Sequence, residues 1–306
     1  VDYNYILRGI TLFRSFQKIK NKNENFIIIT TDNKAFEILK NEPSLNIVNS
    51  VELESSELKK IKKSRKINEY CWTLKPIGID YIFNKFENCK WATYLDSDSM
   101  IFKSFSNEYK ESYDVILTPH RSKIDYFKKI EEKVGNFNAG FVAIKNSKNG
   151  NKILKFWKDK CLEWCSDIPD SKRYADQKYL NEIARKFNKV QTKPSLGLNL
   201  APWNIATKEN KLEINKDLIK HLSFYHMQGL KIFNKNIYNL YSDDFLVTNE
   251  TYKSIYKPYI NLLKSTYLEI RQINKSFMIK NEYFLNFKLI IKKLFLGMKN
   301  LKIILR

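Results

Sequence analysis

The residues that build special architectures are scarce in this sequence. Eight glycines and seven prolines among 306 residues exclude a collagen-like repeat or a low-complexity tract. Four cysteines, Cys71, Cys89, Cys161 and Cys165, are too few for a disulfide-built scaffold of this length. Histidine is scarcer still, with only His120, His221 and His226. Cys161 and Cys165 would share a helix face, yet two further zinc ligands are not in view, so they read as buried free thiols. No run of about 18 uncharged apolar residues occurs, which excludes a conventional spanning helix. The first residues, VDYNYILRG, show no basic-then-apolar leader. Acidic residues are also short, 33 against 54 basic, for a net charge of +21.

That surplus predicts anionic company: nucleic acid, acidic lipid headgroups or phosphorylated substrates. Much of it is also what a Lys- and Asn-rich composition scatters over any solvated face. It is steepest at the C-terminus, where residues 271–306 hold nine basic side chains against Glu282 alone. At 43% hydrophobic and 14% aromatic residues, the chain has ample material for a core, which excludes wholesale disorder.

Short apolar runs at 25–31, 91–95, 115–117 and 140–144 read as strands. Helical spacing appears over 5–19, 33–40, 73–86 and 151–165. This alternation predicts an α/β layer with a largely parallel sheet, whose ligands sit beyond the carboxyl ends of the strands. One further strand is expected over 221–227. From Tyr252 the pattern reads as helix almost to the end. Over 283–301 the residues Tyr283, Phe287, Ile290, Ile291, Leu294, Met298 and Leu301 form an apolar arc opposite Lys288, Lys292 and Lys299. The expected division is therefore a catalytic domain over 1–250 and a helical, basic amphipathic extension over 251–306.

The sharpest chemical feature is Asp96-Ser97-Asp98, closing the run WATYLDSDSMIF. Two carboxylates one residue apart, just past a buried strand, can share one hard divalent cation such as Mg2+ or Mn2+, which takes oxygen ligands and bridges to phosphates. The plainer alternative is a solvated strand-to-loop turn in which Asp supplies turn chemistry.

Further segments agree in order and spacing: DYNYILRGITLFRSF, EYCWTLKP, YLDSDSMIF, GNFNAGFVAI, CLEWC, ADQKYLN, APWN and FYHMQGLK. Across about residues 2–240 they resemble bacterial glycosyltransferases of the GT-A fold, similar to family 8 and to the lipopolysaccharide or capsule nucleotide-diphospho-sugar transferases. The resemblance implies a Rossmann-like, mixed, mostly parallel sheet and a metal held by Asp96, Asp98 and His226. His226 and Gly229 match the family's H-x-x-G, and Lys231 would neutralise the diphosphate. In the family that lysine often stands one position later, before Pro-Trp; here Ile232-Phe233 follow it.

Asp2, Tyr5 and Arg8 fall where the family binds base, ribose and phosphate, or else the tyrosines merely open a helix. Most of the family's first strand would lie upstream of Val1. Arg65 and Lys75, bracketing EYCWTLKP, would hold phosphate or donor hydroxyls, or else flank a core Trp72. Asn138 and Gly140 match an N-x-G that contacts the donor sugar. Asp176 and Gln177 match the pair beside the anomeric carbon. His120, Arg121, Trp203 and Asn204 are expected at the acceptor or donor rim.

The implied reaction is metal-dependent transfer from a nucleotide-diphospho-sugar, with uridine as the base, to a glycan or lipid-linked acceptor of surface polysaccharide. Retention is favoured over inversion, for which Asp176 would be the base. The tail would meet the acidic inner face of the cytoplasmic membrane, or pack on the catalytic domain or on a second copy. A nucleotide-sugar hydrolase or a non-catalytic binding homologue is the alternative. A nucleic-acid binder is disfavoured, because no RNA-recognition signature, zinc knuckle or helix-turn-helix is present.

Overall fold

A computed structural model describes residues 1–279 and 300–303. Its central strand, Phe137–Lys145, is buried from Phe137 to Ile144. It lies between Trp91–Leu95 and Val115–Pro119, antiparallel to both. Val115–Pro119 pairs in parallel with Val190–Gln191. Two further pairs complete the framework of the site: Ile27–Thr30 parallel to Asn46–Asn49, and Ser99–Ile101 antiparallel to Phe224–His226. The α/β class and the mixed sheet are as expected. Only one of three pairings in the four-stranded sheet is parallel, fewer than the alternation suggested. A continuous apolar run reports that both faces of a strand are covered; it carries no information about direction.

Helix Ile6–Gln17 buries Ile6, Leu7, Ile10, Leu12, Phe13 and Phe16, the stripe that its spacing predicts. Helix Ile67–Lys85 starts earlier than expected. Glu69 reaches back to accept from the Lys66 N–H at 3.0 Å, an N-terminal cap, and Pro76 lies inside the helix rather than near its start. Val1 lies beside the Ile27–Thr30 strand, donating to Ile29 O at 2.6 Å and accepting from Thr31 N at 3.0 Å. All four cysteines are free, with Cys161 and Cys165 buried.

Helix Lys257–Ile273 buries Tyr259, Ile260, Leu263 and Ile270, packs against Ile6–Gln17, and so belongs to the main core. Leu301, expected in a helix, begins a strand Leu301–Ile303 antiparallel to Ile237–Asn239. Asn300 anchors it from within the core, accepting from Val247 N at 2.9 Å and donating to Ser242 O at 2.8 Å. The remainder of the expected amphipathic helix, including Lys288, Lys292 and Lys299, lies outside the described residues. Among the described residues no helix is long and apolar enough to cross a membrane.

Candidate active site

Asp96 leaves the end of the Trp91–Leu95 strand with its N–H bonded to Gly140 O at 2.9 Å. The chain then turns, so that Ser99 pairs with His226 across two short strands. Met227 N donates to Asp98 O at 2.7 Å and His226 N to Leu200 O at 2.8 Å. These backbone bonds fix three side chains in one place: His226 Nε2 lies 3.1 Å from Asp98 Oδ1 and 3.8 Å from Asp96 Oδ2. One ligand atom from each lies within 4.8 Å of the others.

Burial alone would raise the Asp98 pKa, but the adjacent His226 and other positive charge hold that carboxyl well below the usual range. Reciprocally, burial lowers the His226 pKa and Asp98 overcomes it, leaving the imidazole raised. Among the described residues, the buried His226 Nδ1 has no hydrogen-bond partner. A Cβ at Gly140 would sit 2.9 Å from that nitrogen, 3.0 Å from Asp96 Oδ2 and 2.6 Å from Asn138 Oδ1. Glycine therefore keeps a space open among the acids and the imidazole. Two carboxylates and an imidazole around such a space suit Mn2+, and Mg2+ through the oxygens.

Lys75 extends the charge pattern away from this cluster. Its ammonium lies 3.2 Å from Asp96 Oδ1 and 3.4 Å from Asp176 Oδ2. It also donates to Ala139 O at 3.2 Å and stands 4.7 Å from the centre of the Tyr94 ring. Tyr94 in turn donates its hydroxyl to Asp96 Oδ1 at 2.9 Å. Burial pulls the Lys75 pKa down, yet Asp176 and Asp96 outweigh it and keep the ammonium charged. Asp176 is 2% exposed. Its buried Oδ2 is paired with the Lys75 ammonium. Burial pushes the Asp176 pKa up to about 6, with Lys75 opposing the rise and Asp96 adding to it.

A neutral polar lattice lies beside these charges. Asn138 donates to Gln177 Oε1 at 3.1 Å, and its own Oδ1 accepts from Gly140 N at 2.9 Å and from Asn199 Nδ2 at 3.1 Å. Gln177 Oε1 also takes the Ala139 N–H at 3.1 Å. Asn199, with φ +54°, was not anticipated. A cavity of about 1330 Å³ runs past Asp96, Asp98, Asn138, Asp176 and His226, and continues between the Ile27–Thr30 and Trp91–Leu95 strands.

Asp2 and Tyr5 are in the wall of that cavity. Asp2 accepts from Tyr5 N at 3.0 Å and so opens the first helical turn. Arg8 is buried and donates to Leu230 O at 2.9 Å, tying the first helix to the loop that follows His226. Gly229 in that loop has φ +82°, and a Cβ there would press 2.9 Å from the Tyr241 ring. Lys231 starts the strand Lys231–Asn234, opposite Asn239; the cavity wall carries Gln228 instead.

Other expectations need correcting. Arg65 donates to Thr73 Oγ1, to Cys161 O at 2.6 Å and to Leu162 O at 2.7 Å. It pins helix Ile67–Lys85 to helix Lys148–Glu163, away from the cavity wall. None of the four residues expected at the rim is in the cavity wall. His120 packs edge-on against Trp203 at 5.3 Å, and Trp203 against His226 at 5.9 Å. Burial pushes the His120 pKa down to about 4, so its ring is neutral packing. Arg121 clamps the following loop through Ser195 O at 3.3 Å and Leu196 O at 3.2 Å. Asn204 accepts from Ala201 N at 2.8 Å and donates to His120 O. Trp72 and Tyr174, both in the cavity wall, went unselected. Trp72 stood inside a quoted motif, with a core position as one of two readings, and Tyr174 lies two residues before Asp176.

With this geometry in view, the relatives can be placed. The uncharacterized protein YfnD of Bacillus subtilis (strain 168) is 31% identical over 255 residues, covering 80% of this chain and 81% of its own. This chain belongs to the family of YfnD. YfnF of the same organism is 28% identical over 243 residues, 76% of this chain and 80% of its own. No established family model matches. Among solved structures, the apo bifunctional glycosyltransferase WbbM superposes with a TM-score of 0.50 at 14% identity over 90% of this chain. The chain spans about half of WbbM, 51% of its length. The fold of this YfnD relative is of the GT-A glycosyltransferase type.

Proposed function

We propose that the protein is a metal-dependent glycosyltransferase. It would move a sugar from a nucleotide-diphospho-sugar, of uridine by the resemblance to family 8, to a glycan or lipid-linked acceptor of bacterial surface polysaccharide. The observation that carries this reading is the Asp96–Asp98–His226 cluster at the end of Trp91–Leu95, a strand expected to be buried but only half-buried because it lines the cavity, with the cluster kept open by Gly140 and facing that cavity.

Asp96, Asp98 and His226 would hold a divalent cation, which when bound acts as a Lewis acid toward the departing diphosphate. The chain's own groups do the rest. Lys75 keeps Asp96 and Asp176 oriented and offsets their repulsion. Asn138 and Gln177 present amides to sugar hydroxyls. Asp176, buried and ionised above about pH 6, places a carboxylate beside the sugar. There it can steady positive charge in a retaining reaction, the favoured course, or accept the acceptor proton in an inverting one. A basic segment at 280–299 would bring the enzyme to acidic lipid on the cytoplasmic face, where each nearby Lys or Arg contributes about 1 kcal/mol. Co-sedimentation with phosphatidylserine vesicles tests this: Lys288, Lys292 and Lys293 changed to Glu should lower binding, and unchanged binding would remove the membrane from the proposal.

A thermal-shift series with UDP-sugars and Mn2+ or Mg2+ tests the central reading. Ligands that favour the folded state raise its midpoint. The wild type should respond to the pair and Asp98→Asn should not. Equal responses in both proteins would sink the metal site. Product analysis then separates transfer from free hydrolysis, the competing use of the same cluster.

A further inference from the structure

Two aromatic side chains in the cavity wall have no part in holding a cation or diphosphate. Trp72 and Tyr174 are half-buried. Their ring centroids lie 6.4 Å apart with planes tilted by 46°, and both border the cavity alongside Asp176 and Gln177. Neither the Trp72 indole N–H nor the Tyr174 hydroxyl has a hydrogen-bond partner among the described residues. In a packed core such a pair would be buried, with its polar ends satisfied. Here two half-buried rings with two unused donors border one open space.

The backbone holds the pair in place from both sides. Trp72 and Lys75 are one helical turn apart on Ile67–Lys85, so both meet the cavity from the same helix face. Tyr174 precedes Ala175, whose φ of +48° turns the chain between a half-exposed tyrosine and a fully buried Asp176. The groups therefore run in a fixed order: His226 with Asp98, then Asp96, Lys75 and Asp176, and finally Tyr174 with Trp72. If the diphosphate occupies the first end, the sugar to be transferred reaches Asp176. The aromatic pair lies one step further out.

A pyranose ring has an apolar face of C–H groups and an equatorial belt of hydroxyls. Sites that recognise small molecules commonly combine aromatic faces with a few placed polar groups. We infer that Trp72 and Tyr174 form the acceptor subsite, a stacking platform for a neutral pyranose ring whose nucleophilic hydroxyl is presented at Asp176. This rests on the glycosyltransferase reading above and names the substrate class on its acceptor side. The neighbouring carboxylate favours a neutral ring: Asp176 lines the cavity beside the pair.

The test uses the full chain with UDP and Mg2+, and methyl glycosides of glucose, galactose and N-acetylglucosamine as probes. Saturation-transfer NMR should show contact to ring C–H protons in the wild type. Trp72→Ala and Tyr174→Ala should each weaken binding about tenfold, while Trp72→Phe and Tyr174→Phe retain most of it. Methyl glucuronide should give weaker contact than the neutral probes. Thermal stabilisation by UDP with Mg2+ should be the same in all variants, which also shows that each is folded. If Trp72→Ala does not fold, the Tyr174 pair alone decides. With UDP stabilisation intact, glycoside contact that is absent in the wild type or undiminished in the alanine variants overturns the platform alone. Absent stabilisation of the wild type by UDP and by UDP-sugars overturns the parent reading and this one with it.

Discussion

The Lys75 ammonium stands 3.4 Å from the Asp176 carboxylate, and both side chains are buried. With Asp96 at 3.2 Å on its other side, this one cation keeps two acids together in a pocket that would otherwise push them apart. Removing one partner of a buried pair leaves an uncompensated charge and costs about 3–5 kcal/mol. Lys75→Met should lose about that much in urea unfolding at pH 7, with part regained as pH falls and Asp176 takes up a proton, at a higher pH than in the wild type because Lys75 no longer opposes the rise. A loss under about 1 kcal/mol would mean that Asp96 and Asp176 do not depend on Lys75.

The raised pKa of Asp176 has its own signature. Its folded value of about 6 exceeds the ordinary unfolded value of about 3.9, so between these the folded state binds more protons. Stability contributed by this group is therefore full below about pH 4, declines as pH rises to about 6, and stays lower above. Asp176→Asn should flatten that decline when urea midpoints are compared across pH 4–7. Parallel profiles would show an ordinary carboxyl. In turnover, a fall of two or more orders of magnitude with donor binding unchanged would favour the base role for Asp176.

Gly140→Ala tests the open space directly. The new methyl would lie under 3.0 Å from Asn138 Oδ1 and His226 Nδ1, so the cluster must shift to admit it. Manganese affinity read by electron paramagnetic resonance should fall by about tenfold or more, the loss typical of disturbed ligand geometry. Unchanged affinity would place the cation elsewhere.

Arg65→Ala should separate scaffold from site. It leaves two carbonyls of helix Lys148–Glu163 and the Thr73 hydroxyl without their donor, a cost of about 1–3 kcal/mol per buried group. Thermal melting should show that loss, while the shift produced by UDP with Mn2+ remains. Lost donor response in a folded Arg65→Ala protein would return Arg65 to the phosphate.

The legible parts of the molecule were those whose signal is local. The run WATYL followed by acids announced a strand with charge at its end, and the apolar run at 140–144 announced the central strand, which begins three residues earlier at Phe137. Which way a neighbouring strand runs leaves no trace in periodicity, so the share of parallel pairing was overstated. Facing was equally hidden. Trp203 and His120 sit in motifs beside the site, yet neither is in the cavity wall. Trp72, for which a core position was one of two readings, is half-buried in the cavity wall. The three-residue strand at Leu301 is too short for any period to register, and its pairing with Ile237–Asn239 is wholly long-range. Likewise the Lys75–Asp176 contact joins segments far apart in sequence, which only the fold could bring together.

The amide of Asn138 ties Gly140, Asn199 and Gln177 together through three hydrogen bonds. A replacement that reached for a different hydroxyl would strand three neighbours at once. On the proposed reading, adaptation toward a new donor would proceed by concerted steps, whereas the aromatic end could drift one side chain at a time. Diversity among relatives would then accumulate at what receives the sugar before it touches what delivers it.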